Sequence, residues 1–267
     1  MSAATTATAT DFAIEMDGLT RRFGDFVAVD NVTLKIPKGQ LYGFLGLNGA
    51  GKTTTIRMLT TLLPPSSGAA KLWGHDVVKE PLAVRKLVGL VSDETSESQS
   101  AWTAREYLSY FAHIRHMSNP AQEVERILDD VGLDAQFRGK LICTYSTGMK
   151  RRVEIARALM GRPKVLFLDE PTRGLDLPAK RDMWSLLRRL AATENVTTFL
   201  SSHDAQEIRT LCSEISVIAH GRLVHTGPTR DLGQDIDAFE ERLVVMLTQT
   251  ERAEPAGLHF RPAENRT

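Results

Sequence analysis

The segment that decides the fold reads Gly46-Leu47-Asn48-Gly49-Ala50-Gly51-Lys52-Thr53. It follows an apolar strand-like run over residues 41–45 and opens an apolar helical run over residues 54–63. This context predicts a glycine-rich turn between a strand and a helix, called the cradle below. In such a turn, successive backbone N–H groups point inward at a phosphate, and the helix N-terminus adds partial positive charge. The cradle therefore predicts a site for a nucleoside triphosphate and Mg²⁺.

Two side chains of the cradle bring chemistry of their own. Lys52 would reach the β- and γ-phosphates, and the Thr53 hydroxyl would ligate Mg²⁺. Thr54 would add a further phosphate contact. The predicted nucleotide-binding residues of this segment are Asn48, Gly49, Ala50, Gly51, Lys52, Thr53 and Thr54.

A second segment, Lys164-Val165-Leu166-Phe167-Leu168-Asp169-Glu170, is an apolar strand that ends in two carboxylates. The acids would emerge at the C-terminal edge of the sheet, where open α/β sheets bind ligands. Asp169 would hold Mg²⁺, and Glu170 would polarise the attacking water as a general base. An apolar run of this kind is more often a strand that simply meets solvent. The presence of the cradle in the same chain favours the catalytic interpretation.

His203 follows another predicted strand, over residues 197–202, and would lie at the same edge of the sheet. A single histidine is usually a surface residue or a satisfied core residue. Three strand ends that deliver Lys-Thr, Asp-Glu and His to one edge favour a γ-phosphate-sensing role. The predicted catalytic residues are therefore Lys52, Glu170 and His203.

Composition excludes several classes of protein. The 267 residues include 33 basic and 33 acidic side chains, so the chain has no net charge, and 42% of its residues are hydrophobic. This is ordinary for a soluble globular protein, and it offers no basic face for nucleic acid, so we expect no nucleic-acid partner. No apolar stretch approaches the roughly 20 residues of a membrane-spanning helix. Cys143 and Cys212 lack the spacing of a metal site, which favours a reducing compartment.

The predicted fold class is α/β. Later strands alternate with helical patterns around residues 180–192 and 205–212, which indicates a mainly parallel sheet wrapped by helices. Amphipathic patterns over residues 103–115 and 120–131 predict a helical lobe, at about residues 95–160, that interrupts this core.

A third segment, Tyr145-Ser146-Thr147-Gly148-Met149-Lys150-Arg151-Arg152, precedes a predicted helix over residues 153–160. Together with Pro171-Thr172-Arg173-Gly174-Leu175-Asp176 and Ser201-Ser202-His203-Asp204, it resembles the signature of the ATP-binding subunits of ABC transporters. The resemblance covers about residues 12–230. Residues 59–68 and 145–159 look most like the daunorubicin-resistance and nodulation-type exporter subunits.

The resemblance implies a P-loop NTPase core with a mainly parallel sheet, an N-terminal antiparallel β subdomain and the inserted helical subdomain. Residues 1–11 would be a disordered extension, and residues 231–267 a C-terminal extension with a loose tail beginning at Glu251. ATP and Mg²⁺ would be the ligands. The partners would be a second ATPase subunit, identical or different, and a separately encoded transmembrane permease. The chain would then be cytoplasmic and peripheral on the cytoplasmic face of the cell membrane.

The resemblance also assigns roles to four further residues. Phe23 would stack on adenine, as a flat aromatic ring can. Ser146 and the Gly148 backbone would meet the γ-phosphate bound by a second subunit, so that one chain forms half of each site. Asp176 would couple the two sites across the dimer.

One departure from the family pattern is Thr147, where these proteins usually have Gly. A β-branched residue resists positive φ and would crowd a phosphate that approaches its backbone. At negative φ it would have little effect, and its hydroxyl could donate a hydrogen bond. The sequence leaves both outcomes open.

A second departure is Asp93, with Glu94 beside it, where the family has a glutamine that ligates Mg²⁺. Aspartate can also coordinate Mg²⁺, although its side chain is shorter and charged. Alternatively the loop is shifted in register and neither acid reaches the metal. We predict that Asp93→Gln preserves or raises ATPase activity. A loss comparable to that of Glu170→Gln would contradict this prediction.

The motifs fit three functions. The first is an ATPase that powers a membrane exporter through ATP-driven dimerisation. The second is a soluble ABC ATPase without a transport role, although this chain lacks the second domain or long coiled coil of such relatives. The third is a regulatory subunit that binds ATP without hydrolysing it, which Glu170 and His203 disfavour.

Overall fold

The computed structural model describes residues 12–92, 101–193 and 196–252. The N-terminal part of the chain contributes a four-stranded antiparallel sheet with the strand order β2-β1-β4-β5. Its first two strands form a hairpin in which Phe23 pairs with Phe26 across the turn, and buried side chains alternate with exposed ones toward the far end of β2. The strands are β1 (Phe12–Phe23), β2 (Phe26–Pro37), β4 (Ser67–Leu72) and β5 (His75–Asp76).

A six-stranded sheet follows in the order β10-β9-β3-β8-β7-β6, parallel except for β10 at its edge. The central strands are short apolar runs because both faces of the sheet are covered. Its strands are β3 (Leu41–Leu45), β6 (Val88–Val91), β7 (Val165–Asp169), β8 (Thr197–Ser202), β9 (Glu214–Ala219) and β10 (Arg222–Pro228).

Two hydrophobic cores lie on the two faces of this parallel sheet. One core joins it to the antiparallel sheet through α1 (Lys52–Leu59) and α2 (Pro81–Leu87). Three phenylalanines are fully buried there. The ring centroid of Phe199 lies 5.0 Å from that of Phe44 and 5.5 Å from that of Phe167. The other core joins the opposite face to the helical lobe and to α6 (Leu177–Thr193) and α7 (Ala205–Leu211). The predicted α/β fold is confirmed.

The helical lobe within the described residues contains α3 (Ala104–Ile114), α4 (Pro120–Asp130) and α5 (Thr147–Leu159). Thr103 and Glu106 form a capping box that begins α3. The prediction that α5 begins at residue 153 was wrong, because the helix begins at Thr147. The Ser146 hydroxyl accepts a hydrogen bond from Met149 N, and such an N-cap fixes a helix start.

The first and last helices also differ from the expected runs. α1 ends at Leu59 rather than near residue 63, since Thr61 takes a positive φ that a helix cannot continue. Residues 229–252 form a short 3₁₀ turn and α8 (Ile236–Arg252), which extends past the expected start of the tail at Glu251. Residues 1–11 and 253–267 lie outside the described residues, and the domain boundaries stay a prediction. No helix in the described part of the chain has both the length and the apolar character needed to cross a bilayer.

Candidate functional site

The cradle follows β3 and leads directly into α1, and close contacts require glycine at two of its positions, Gly46 and Gly51. A Cβ at Gly46 would lie 2.5 Å from the carbonyl oxygen of Ile218, which is not possible without movement of the backbone. Gly51 has a φ of 109°, and a Cβ there would lie 2.6 Å from the carbonyl oxygen of Ala28. Because no side chain fills these positions, the backbone can curl tightly at the N-terminus of α1, where anions bind.

Lys52 is the first residue of α1 and is only 6% exposed. Its Nζ donates hydrogen bonds to the carbonyl oxygens of Gly46 (2.7 Å) and Leu47 (3.2 Å). It also forms an ion pair with Glu170 Oε1 at 3.0 Å. The ammonium is thus held inside the cradle beside the second predicted catalytic residue.

The order of the strands brings the other predicted catalytic residues to the same edge. β8 lies between β3 and β7, so the segments that follow these three strands are neighbours. Asp169, the last residue of β7, is 2% exposed, and its carboxylate accepts hydrogen bonds from Thr53 Oγ1 at 2.7 Å and from Ser201 Oγ. The expected convergence of Lys-Thr, Asp-Glu and His on one edge is what the structure has.

Glu170 takes a left-handed backbone conformation with a φ of 51°, uncommon for a residue with a side chain. Its N–H donates to the Ser201 carbonyl oxygen (3.1 Å), and its own carbonyl oxygen accepts from Arg173 N (3.2 Å). Its side chain reaches Lys52 with one oxygen and His203 Nδ1 with the other, at 2.6 Å. Backbone strain of this kind often occurs at active sites.

His203 completes a chain of three polar side chains, one from each strand end. Its Nδ1 is the nitrogen that faces the Glu170 carboxylate, and its side chain is 45% exposed. The second ring nitrogen is thereby left for a ligand outside the protein core. This geometry fits the γ-phosphate-sensing role predicted for His203.

The residues present fit Mg²⁺. Thr53 and Asp169 offer a hydroxyl and a carboxylate oxygen that already lie 2.7 Å apart. Within residues 12–92, 101–193 and 196–252, no group of three or more His, Cys, Asp or Glu side chains could hold a metal by itself. Mg²⁺ commonly binds through one or two protein oxygens together with substrate phosphates and water, so a triphosphate in the cradle would complete its shell.

The remaining cradle residues differ in exposure. Asn48, Gly49 and Thr53 are exposed, Thr54 is half-buried, and Ala50 and Gly51 are buried. Ala50 N donates to the Leu47 carbonyl oxygen at 3.2 Å, which closes the turn. The exposed positions are the ones that a nucleotide can reach directly.

Phe23 lies at the end of β1, in the hairpin whose second strand reaches the cradle through Ala28. Its side chain is 47% exposed, and the guanidinium carbon of Arg21 lies 4.6 Å from its ring centroid. Arg21 is anchored in turn by a hydrogen bond to the Pro64 carbonyl oxygen at 2.8 Å. The ring is thus supported by a cation and still open to solvent, as stacking on a base requires.

The signature residues form the first turn of α5. Ser146 and Thr147 are exposed. Thr147 is helical with negative φ, so its β-branched side chain causes no backbone strain at this position. A Cβ at Gly148 would lie 3.8 Å from the Cβ of Ala179, which places the start of α5 beside the start of α6. Asp176 Oδ1 accepts a hydrogen bond from Ala179 N (2.9 Å) and so caps α6.

Asp93 and Glu94 lie outside the described residues, so the question about the Mg²⁺-ligating glutamine stays open. The chain just before them is fixed to α5. Arg151 Nη1 donates to the Ser92 carbonyl oxygen at 3.1 Å, and Arg157 Nη2 donates to the Leu90 carbonyl oxygen at 3.0 Å. Movement of the signature helix would therefore move the chain at Leu90 and Ser92.

Two residues at the catalytic edge have roles that the sequence motifs do not predict. Ser201 donates to the Asp169 carboxylate, and Glu207 accepts from three side chains around the same edge. The signal in the sequence is a polar side chain at a position that the fold buries. Ser201 is one of four hydroxyl residues in the fully buried strand β8, and Glu207 is an acid at a buried position of α7, next to the buried Ile208.

Comparisons with known proteins agree with this geometry. The sequence profile of the ABC transporter family matches residues 29–173. The daunorubicin/doxorubicin resistance ATP-binding protein of Streptomyces peucetius is 38% identical over 233 residues, which cover 86% of this chain and 70% of that protein. The bacitracin transport ATP-binding protein of Bacillus licheniformis is 40% identical over 217 residues, covering 80% and 69%.

Solved structures share the fold. A dimeric ATP-binding cassette in a post-hydrolysis state, bound to ADP and Pi, superposes with a TM-score of 0.73 at 22% identity and covers 80% of this chain and 98% of its own. The family match extends over the cradle, the signature segment and the Asp-Glu strand. The chain therefore belongs to the ABC transporter family, as an ATP-binding and ATP-hydrolysing protein of that family.

Proposed function

We propose that this chain is the ATPase subunit of a membrane exporter and acts as a head-to-tail dimer beneath a separately encoded permease. It would be cytoplasmic and peripheral on the cytoplasmic face of the membrane. The observation that carries the proposal is the coexistence, in one chain, of the joined side chains of Lys52, Glu170 and His203 at one edge of the sheet and of an exposed signature turn at the start of α5.

Nucleotide binding would use the groups that already surround the cradle. Adenine stacks on Phe23, the phosphates accept hydrogen bonds from cradle N–H groups, and Lys52 turns from Glu170 toward the γ-phosphate. Asn48 and Thr54 border the phosphates. Thr53 and Asp169 would hold Mg²⁺, which when bound neutralises charge that develops on the phosphates.

Hydrolysis would then depend on the pair formed by Glu170 and His203. Once Lys52 pairs with phosphate, the Glu170 carboxylate is free to accept a proton from the attacking water. The water oxygen bonds to the γ-phosphorus as the bond to the ADP oxygen breaks, giving ADP and inorganic phosphate. His203 holds Glu170 through Nδ1 and would contact the γ-phosphate through its other nitrogen.

A second copy of the chain would supply further hydrogen-bond donors to the γ-phosphate. Ser146 Oγ and the backbone of Gly148 lie at the start of a helix, where the partial positive charge favours an anion such as the partner's γ-phosphate. Asp176 is located beside this turn and would connect the two sites. ATP would thus clamp two chains together, and hydrolysis would release them, a two-state change that a permease can use.

The relatives support the export direction and leave the substrate open. One is named for resistance to daunorubicin and doxorubicin and another for bacitracin transport. We infer an exporter of a drug, a lipid or another substrate, whose selection would be made by the permease rather than by this chain.

Isolation of the chain from its native membranes tests the proposal. We expect one membrane protein to co-purify and to change the ATPase rate of the chain. The rate should also rise more steeply than linearly with chain concentration, because the active form is a dimer. Isolation with nucleic acid and no membrane partner would contradict the transport function, as would a fully active monomer.

A further inference from the structure

Glu207 is a buried acid on α7, four residues after His203, and its side chain is only 1% exposed. Its carboxylate accepts hydrogen bonds from Thr172 Oγ1 (2.8 Å), Trp184 Nε1 (3.1 Å) and Ser202 Oγ (2.6 Å). Burial raises the pKa of Glu207, and these three hydrogen bonds oppose that shift. A buried carboxylate whose side-chain donors are all neutral is unfavourable for folding. Stability therefore does not explain why an acid occupies this position, and a functional role does.

Two of the three donors flank the catalytic pair. Thr172 lies two residues after Glu170, and Ser202 lies directly before His203. Both side chains are buried, at 3% and 1% exposure. One carboxylate therefore joins the segment that follows β7 to the segment that ends β8.

Further contacts fix the His203 side of this junction. Ser202 Oγ accepts from Asp204 N at 3.0 Å, and Asp204 Oδ1 accepts from Glu207 N at 3.0 Å. Asp204 Oδ2 also accepts from Lys180 Nζ at 2.8 Å. His203 thus lies between two residues that are both hydrogen-bonded to Glu207.

The third donor, Trp184, comes from α6. Its indole N–H fixes the same Glu207 oxygen that Thr172 contacts, so the carboxylate cannot rotate without breaking two hydrogen bonds at once. The carboxylate is therefore a rigid reference point between the two catalytic segments.

We propose that Glu207 is a positioning residue for ATP hydrolysis, whose carboxylate holds the segments of Glu170 and His203 together and so fixes the 2.6 Å contact between these two side chains. The inference rests on the hydrolytic function proposed above. Glu207 does not touch the reacting atoms. Since a misplacement of about 1 Å can lower a rate by on the order of 100-fold, the loss of one of its hydrogen bonds should lower kcat by about 10-fold.

Three variants each remove one part of the junction. Glu207→Gln keeps the shape but places an amide nitrogen where the Ser202 proton needs an acceptor. Ser202→Ala removes the donor beside His203, and Thr172→Val removes the donor that follows Glu170. The matched control is Thr229→Val, since Thr229 is also buried, at 5% exposure, and donates one hydrogen bond, to the Cys212 carbonyl oxygen at 2.7 Å, near the N-terminal end of β9.

The experiment measures kcat, KM for ATP and Tm for the full-length chain and its variants. We expect each of the three variants to lower kcat by about 10-fold with KM within about 2-fold, because binding groups stay in place. Thr229→Val should keep kcat. The double variant Glu207→Gln with Ser202→Ala should be no slower than the slower single variant, as expected for residues that act as one unit.

If the wild-type chain hydrolyses ATP and the folded variants keep its kcat, the role of Glu207 is overturned, whereas the proposed function stands. An equal loss in Thr229→Val would overturn it too, because general destabilisation would then explain the effect. A wild-type chain without hydrolysis would contradict the proposed function and this inference with it. If Glu207→Gln fails to fold, Ser202→Ala and Thr172→Val decide the question.

Discussion

The catalytic edge and the signature turn belong to one chain but differ in how their polar groups are satisfied. Lys52, Asp169 and Glu170 are buried and each contacts another catalytic or supporting side chain. Ser146 and Thr147 are exposed, and the Ser146 hydroxyl serves only its own helix. The difference teaches that the first region has its polar groups paired within one chain, whereas the second leaves them exposed, as the proposed contact with a second chain requires.

The largest expected effect is on the complete side. Glu170→Gln keeps the size of the side chain but removes the proton acceptor, so hydrolysis should fall by about 100-fold or more, the range of general-base catalysis. ATP binding should persist, because the cradle is untouched. Phosphate release and equilibrium binding of ATP would be measured side by side, and a variant with more than a tenth of normal activity would refute the assignment of Glu170 as base.

The next effect tests whether the signature turn serves another chain. Ser146→Arg should block the partner's phosphate, and Lys52→Ala should disable the chain's own cradle, so each pure variant should lose most activity. An equal mixture should recover about a quarter of the wild-type rate, because half of the dimers are mixed and each of these has one intact site. Mixed and unmixed samples at equal total concentration make the comparison. If the mixture stayed as inactive as its components, the two regions would have to meet within one chain.

A small effect is expected at Thr147. Because this residue is already helical with negative φ, Thr147→Gly relieves no strain and should change the ATPase rate by less than about 2-fold. Steady-state ATPase assays would measure this. A clear gain in activity would mean that the side chain of Thr147 crowds the partner's phosphate.

The smallest effect concerns stability and pH at the junction behind the catalytic edge. Burial raises the pKa of Glu207 above the 4.5 of an ordinary Glu, and the charge of the neighbouring Asp204, which pairs with Lys180, adds to this shift. The neutral form thus stabilises the fold, and this contribution, complete below pH 4.5, is lost as the pH rises through the raised pKa.

Glu207→Gln does not ionise, so its Tm relative to the wild type should be higher at pH 8 than at pH 5. Thermal unfolding at the two pH values would measure it. A difference that is the same at both pH values would show that Glu207 does not titrate with a raised pKa.

Much of the catalytic edge could be predicted because its chemistry is local in sequence. The cradle is recognised by the spacing of its glycines. Asp169 ends the apolar strand β7, Glu170 follows it directly, and His203 directly follows β8. Parallel strands end at one edge, so these residues could be expected to meet even before the strand order was known.

The parts that escaped prediction depend on contacts between distant segments. Ser201 and Glu207 acquire their partners only when β7, β8 and α7 are packed together. The left-handed backbone of Glu170 is held by the Ser201 carbonyl oxygen on a neighbouring strand, and no local preference of glutamate would suggest it. The start of α5 was missed for a simpler reason, since Ser146 was considered as a phosphate ligand and not as a helix cap.

The position of β8 between β3 and β7 also governs when the protein can first bind ATP during folding. Leu41 pairs with Thr198, which lies far along the chain, so the cradle, the acids and His203 come together only when this non-local strand pairing has formed. A chain in which β8 has not joined β3 and β7 therefore lacks the assembled catalytic edge. A ligand that binds the assembled edge, as ATP is expected to do, draws the folding equilibrium toward the native state.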